Sequence, residues 1–171
     1  MKSSNSLSDR VGCFEIVINA PSLVYLENSV SDMDVAALTI VNVQSLVEAN
    51  IDFKQWSINA SHYVSVATDL MRGMSNIQTL CICGPFLMSL LGLGVTVPDL
   101  PNLIHLAIYC TTGFSLEELP YLLQCCESIE TLVLKGCCTW DYVGWTLLEG
   151  NCLSFCLKTI KFLDLEPGMM K

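Results

Sequence analysis

One apolar pattern recurs along the chain and constrains its fold more than any other feature. The pattern is L-x-x-L-x-I/L, with an apolar residue in most of the large positions, and its copies are spaced by 23, 31, 26, 26 and 28 residues. The copies begin at Leu23, Leu46, Ile77, Leu103, Ile129 and Leu157. Three of them also share a polar pair, because Ile77-Gln-Thr, Ile129-Glu-Thr and Leu157-Lys-Thr align. Self-similarity at a period of 20–30 residues is typical of a repeat protein.

Each copy predicts one short β-strand whose large residues face a core, because alternate residues of a strand point to opposite faces. A single strand cannot bury that face, so the copies are expected to stack side by side as a parallel sheet. Parallel neighbours require a crossover, which is usually helical. Residues 62–72 and 120–126 carry apolar side chains at helical spacing and supply two such crossovers, the second beginning with Pro120 in the first helical position.

The pattern therefore predicts an α/β leucine-rich-repeat solenoid of about six irregular repeats. We expect a curved parallel sheet, with helices or irregular loops on the convex side. The predicted repeat domain covers residues 14–166, between a loose N-terminal tail at 1–13 and a C-terminal tail at 167–171. The longest apolar stretch, residues 86–97, is shorter than the roughly 20 residues of a spanning helix, which favours a buried segment and no membrane partner.

Charge and cysteine content narrow the class of partner and the compartment. The net charge of −9 argues against a nucleic-acid or anionic-lipid surface, since both attract Lys and Arg. Ten cysteines are present without a CxxC pair, and the polar first residues contain no secretory signal. We therefore expect mostly reduced cysteines packed as small hydrophobic residues, and a location in the cytoplasm or nucleus.

Several phrases resemble a known family. Residues 19–26 (NAPSLVYL), 43–52, 119–136 and 156–161 are similar to the leucine-rich-repeat region of plant F-box/FBD/LRR-repeat proteins, and the resemblance covers about residues 14–165. In that family an N-terminal F-box binds a Skp-type adaptor, and the repeats present substrates to a cullin-RING ubiquitin ligase. We expect the chain to lack the F-box and most of the FBD segment. The resemblance thus implies an isolated recognition module, with Skp-type adaptor binding confined to full-length relatives.

The function favoured on these grounds is a protein-interaction module with an unknown protein partner, and not an enzyme. If the repeats stack in register, the outward strand positions form three ladders across the sheet. The first is Tyr25, Glu48, Thr79, His105, Thr131 and Thr159; the second is Glu27, Asn50, Cys81, Ala107, Val133 and Lys161; the third is Ser29, Asp52, Cys83, Tyr109, Lys135 and Leu163. The predicted partner-binding residues on these ladders are Tyr25, Glu27, Glu48, Asp52, His105, Tyr109, Lys135 and Lys161.

Two other interpretations stay open at this point. One is a hydrolase or metal-dependent enzyme on an unrecognised α/β fold; the other is a non-functional truncated fragment. The two histidines are His62 and His105, and Cys81, Cys83 and His105 could converge on one surface with zinc-ligand chemistry. Their spacing matches no zinc module, and residues 92–94 (GLG) lack the remaining features of a phosphate loop. We therefore predict no catalytic residue, no metal and no cofactor.

Overall fold

The structure is a computed structural model that describes residues 14–30, 35–53, 67–68, 70–84, 86–87, 97–109, 119–136 and 156–164. The tails predicted at 1–13 and 167–171 lie outside the described residues. The strands are β1 Phe14–Asn19, β2 Tyr25–Val30, β3 Val35–Val41, β4 Glu48–Phe53, β5 Thr79–Cys83, β6 His105–Tyr109, β7 Thr131–Lys135 and β8 Thr159–Leu163. Helix α1 spans Leu119–Gln124, and residues 67–68 and 70–73 are also helical.

The six strands predicted from the repeated pattern form one parallel sheet in the order β2-β4-β5-β6-β7-β8. The register follows the repeat from strand to strand. Tyr25 pairs with Glu48, and the same line continues through Thr79, His105, Thr131 and Thr159. The predicted α/β leucine-rich-repeat architecture is confirmed.

Among the described residues, the same hydrogen-bonded turn precedes β2, β4, β5, β6 and β7 and sets the point at which each of these strands begins. The first large residue of the copy donates its amide to the carbonyl three residues earlier, at N–O distances of 3.0–3.3 Å. These bonds join Leu23 to Ala20, Leu46 to Val43, Ile77 to Met74, Leu103 to Leu100 and Ile129 to Cys126. Because the turn has the same geometry in each repeat, the strands enter the sheet in the same phase.

A second recurring device joins each repeat to the next. The carbonyl of the second residue in one copy accepts two successive amides of the following copy, at 2.8–3.1 Å. The accepting residues are Val24, Val47, Gln78, Ile104 and Glu130. Two asparagines add a side-chain link, since Asn76 Nδ2 donates to the Gln44 carbonyl at 3.0 Å and Asn102 Nδ2 donates to the Ser75 carbonyl at 3.5 Å. These bonds fix the axial spacing of the repeats.

The core lies behind the sheet, against the crossover segments. The large residues of β5, β6 and β7 are only 0–1% exposed: Leu80, Ile82, Leu106, Ile108, Leu132 and Leu134. Helix α1 packs Leu119, Leu122 and Leu123 into the same core, and Phe86 and Leu87 of the longest apolar stretch are buried there too. The helix begins one residue before the predicted start at Pro120. Of the crossover predicted at 62–72, residues 62–66 lie outside the described part.

A separate pair of strands was not predicted. β1 and β3 pair in parallel, with Ile16 opposite Leu38 and Ile18 opposite Ile40. Each of these strands comes before a strand of the main sheet, so the first two repeats contribute one strand to each sheet. At the end of β3, Asn42 has a positive φ of 54° and donates from Nδ2 to Asn19 Oδ1 at 3.3 Å, which links the two strand ends.

Candidate functional site

The face of the main sheet opposite the core carries the predicted partner-binding residues. We call it the outer face: the residues at the three ladder positions of β2, β4, β5, β6, β7 and β8. The first two predicted ladders are continuous from β2 to β8. The third pairs Ser29 with Asp52 and runs from Cys83 to Leu163, while the pairing of β4 with β5 ends at Ile51 and Ile82.

One end of the outer face is acidic. Glu27 on β2 and Glu48 on β4 are exposed, and Asp52 is half-buried at the other end of β4. Tyr25, 45% exposed, donates its hydroxyl to Glu27 Oε2 at 3.0 Å. That hydrogen bond is the main reason the pKa of Tyr25 is raised, so the phenol remains a neutral donor beside the carboxylates. This end therefore combines an aromatic ring with three acidic side chains.

The centre of the outer face is organised around Tyr109, whose side chain is 40% exposed. A hydrogen-bonding interaction between its hydroxyl and the thiol of Cys81 on the neighbouring strand is the main cause of the raised pKa of Tyr109. The pKa of Cys81 is also raised, chiefly because the thiol is desolvated by burial. Lys135 Nζ lies 5.3 Å from the centre of the Tyr109 ring, within cation–π range. The ring is thus held at its hydroxyl and at its face.

The basic end of the outer face is partly neutralised. Lys135 Nζ is 3.4 Å from Asp164 Oδ2. Asp164 has a positive φ of 50° directly after β8, matching Gly136 (φ 72°) after β7. Next to the ladders, Lys158 Nζ is 2.6 Å from Glu130 Oε1. Lys161 is exposed on the second ladder of β8. The charged residues of the outer face therefore change sign along the sheet, from acidic on β2 and β4 to basic on β7 and β8.

His105 and Cys83 do not form, with Cys81, the zinc-ligand cluster that the sequence left open. His105 is exposed on the first ladder, whereas Cys83 is only 1% exposed although its ladder is outward. The expectation that Cys83 lies on the surface is wrong, because strand alternation fixes the face of a residue and not what covers it. Among the described residues, no group of three His, Cys, Asp or Glu side chains could hold a metal ion. His62 and residues 92–94 lie outside the described part.

No disulfide joins the cysteines in the described part of the chain, which are Cys81, Cys83, Cys125, Cys126 and Cys156. In the vicinal pair, Cys126 is buried and donates to the Leu122 carbonyl at 3.2 Å, while Cys125 is half-buried and donates to the Val97 carbonyl at 3.7 Å. Desolvation by burial raises the pKa of Cys126 to about 12. Cys83 and Cys126 belong to the hydrophobic core, where they pack as small hydrophobic side chains.

Within the described ranges, no helix is long and apolar enough to cross a membrane.

Comparison with known proteins identifies relatives of the chain. It is 37% identical over 126 residues to an F-box/LRR-repeat protein of Arabidopsis thaliana, covering 71% of the chain and 29% of the relative. An F-box/FBD/LRR-repeat protein of the same plant is 34% identical over 126 residues, which cover 71% of the chain and 25% of that relative. A further F-box/LRR-repeat protein is 31% identical over 171 aligned positions, which cover 86% of the chain and 35% of that relative. No protein-family profile matches the chain, and no solved structure matches it.

The chain spans about a quarter to a third of the length of these relatives. The similarity covers most of the chain, and the parallel stacking of the copies agrees with the repeat named in each relative. The chain is thus a leucine-rich-repeat polypeptide of the plant F-box/LRR-repeat kind.

Proposed function

We propose that the chain is a non-catalytic protein-interaction module and that its outer face binds an elongated protein partner. The observation that carries the proposal is the pair of exposed tyrosines on that face, Tyr25 and Tyr109, set between acidic and basic ladder positions. Tyrosine is enriched at interface centres because a large apolar ring and a polar tip contribute together. Solenoids of this type bind partners along an extended sheet surface.

The charges on the outer face would orient the partner. Glu27, Glu48 and Asp52 favour a basic segment beside β2 and β4. Lys135 and Lys161 favour an acidic segment beside β7 and β8, more weakly since Asp164 already pairs with Lys135. Rim charges of this kind act mainly on the association rate and on orientation, and a buried aromatic side chain carries more of the affinity. Tyr109, with Lys135 over its ring, is the proposed centre, and His105 lies at the opposite end of the same strand, on the first ladder of β6.

In a longer protein, this module would recognise the substrate of an F-box ubiquitin-ligase subunit. The names of the relatives support a protein-interaction module of F-box proteins, and in such a protein a Skp-type adaptor would be bound by the F-box and not by the repeats. The proposed compartment is the cytoplasm or nucleus, where such ligases act and where the free thiols would stay reduced. The hydrolase or metal-dependent alternative receives no support from the residues the structure describes.

Site-specific photo-crosslinking tests the proposed surface. A benzophenone amino acid would replace Tyr25 or Tyr109 on the outer face, and Tyr121 on α1 as a matched control. Tyr121 is 63% exposed and belongs to a crossover helix, so it is accessible without lying on the sheet. We expect the same partner band from positions 25 and 109 in plant extract, and no such band from position 121. Equal yields from all three positions, or capture from position 121 alone, would refute the outer face as the binding surface.

Alanine substitution then measures the energetic role of the central tyrosine. Tyr109→Ala should weaken binding of the captured partner by about 2 kcal/mol, as expected for a hot spot. Tyr121→Ala removes a side chain of equal size from the helix and should leave the affinity unchanged. An unchanged affinity of Tyr109→Ala for a partner that still crosslinks at position 109 would show that the centre of the interface lies elsewhere.

A further inference from the structure

The second ladder of the outer face carries opposite charges at two of its positions, with uncharged residues between them. Glu27 on β2 and Lys161 on β8 are exposed, whereas the four positions between them are half-buried. These four are Asn50, Cys81, Ala107 and Val133. Consecutive members belong to neighbouring strands, so the ladder runs across the strands and not along them.

The two exposed tyrosines of the outer face reach this ladder from opposite sides. Tyr25 stands on the first ladder and donates its hydroxyl to Glu27 Oε2 at 3.0 Å. Tyr109 stands on the third ladder, and its hydroxyl interacts with the thiol of Cys81. Each hydroxyl is therefore held at the second ladder, while both side chains remain exposed beside it. A tyrosine placed in this way offers a large apolar contact area with a polar tip.

On β6 the second ladder lies lower than the positions on either side of it. His105, Ala107 and Tyr109 all point outward; the first and last are exposed, and the alanine is half-buried. Alternate residues of a strand are about 6.6 Å apart, so the Cα atoms of His105 and Tyr109 are about 13 Å apart. An extended backbone occupies about 4.8 Å in a sheet. One such chain therefore fits above Ala107, between the two larger side chains.

The distance between the two charges sets the length of the segment that would contact both. Five strand spacings separate Glu27 from Lys161, which amounts to about 24 Å. An extended chain advances about 3.3 Å per residue, so about seven residues cover that distance. Glu48 lies diagonal to Glu27 and adds to the negative charge, and Lys135 on β7 lies near Lys161 and adds to the positive charge.

We propose that the partner contributes an extended segment that crosses the strands along the second ladder, with a basic residue over Glu27 and an acidic residue over Lys161, about seven positions apart. The inference rests on the proposed function, because it names what the outer face would recognise. The complementary charges would fix the direction of the segment. Asn50 can both donate and accept hydrogen bonds, so its amide can pair with the backbone of the segment.

Selection from a display library of random peptides tests the inference, with the whole folded chain as bait. Peptides of about twelve residues are long enough to contain the required spacing. We expect the enriched peptides to carry Lys or Arg at about six to eight positions from Asp or Glu. The best peptide should bind Glu27→Lys about tenfold more weakly in fluorescence anisotropy, because like charges would then meet.

Asp99→Lys is the matched control for net charge. Asp99 is exposed in the segment before β6 and does not belong to the sheet. The variant changes the net charge as Glu27→Lys does and should leave binding of the best peptide unchanged.

Ala107→Trp tests the course of the segment across β6. The indole would fill the space between His105 and Tyr109 without changing the charge, so it should abolish binding of the best peptide. Ser45→Trp adds a side chain of the same size in the exposed turn before β4 and should leave binding unchanged. Glu27→Lys changes an exposed residue only, so it keeps the test decisive even if Ala107→Trp lowers stability.

Three results would overturn the inference: no peptide is enriched, the enriched peptides share no charge spacing, or Asp99→Lys weakens binding as much as Glu27→Lys. A partner that docks as a folded domain would give the first of these results while positions 25 and 109 still crosslink it. The proposed function would then stand without the extended segment. Loss of crosslinking at positions 25 and 109 would instead refute the outer face itself.

Discussion

Two register partners, Leu132 and Ile160, should differ in their contribution to the free energy of unfolding. They occupy equivalent core-facing positions on neighbouring strands, but Leu132 is 1% exposed and Ile160 is 41% exposed. Truncating a fully buried leucine removes its transfer free energy and leaves a cavity, which costs about 2–5 kcal/mol. At Leu132, enclosed by the neighbouring strands β6 and β8, we expect about 3 kcal/mol.

Ile160→Ala should cost about 1–1.5 kcal/mol, since little more than half of the residue is removed from water and no closed cavity forms. Urea unfolding monitored by circular dichroism at low protein concentration measures both values, with Leu106→Ala as a second fully buried comparison. Equal costs at positions 132 and 160 would refute the reasoning, because they would show that Ile160 is covered in the monomer.

Four further predictions each concern one or two residues. Asn76→Ala should lower the free energy of unfolding by about 1 kcal/mol and Asn102→Ala by less, because their hydrogen bonds to the preceding repeat are 3.0 and 3.5 Å long. Thermal unfolding of the two variants would show which loses more stability. Lys135→Glu should slow association with the captured partner and flatten its salt dependence in stopped-flow measurements, while an unchanged rate would contradict the assigned orientation. The pKa of the buried Cys126 thiol is about 12 in the folded state, against an ordinary value of 9.0. Because the unfolded chain would ionise this thiol at lower pH than the folded chain, the free energy of unfolding should fall as the pH rises from about 9 to 12. In native alkylation, the exposed Cys156 should react well before Cys126.

The strands of the main sheet could be predicted from the chain by itself, down to their register. Within each copy, the large apolar residues alternate as in a β-strand. Between copies, the pattern recurs at the spacing of solenoid repeats. Stacking the copies therefore leaves one arrangement in which all the large residues face the same side. That reasoning placed Tyr25, His105 and Thr159 on one ladder, where the structure has them. The binding role assigned to the ladder residues remains a prediction.

Tertiary structure decided what covers each face and which charges meet. β1 lies before the first copy of the pattern and β3 between the first two copies, and their mutual pairing arises only when the first two repeats stack. Alternation assigned Cys83 to the outer face and Phe162 to the core face, yet Cys83 is 1% exposed and Phe162 is 38% exposed. Lys135 meets Asp164 because the chain turns through a left-handed residue after β8, a contact that the repeated pattern does not contain. The direction of a side chain follows from the local backbone, which the sequence determined. Burial and pairing depend on neighbours distant in the chain, which only the assembled repeats bring together.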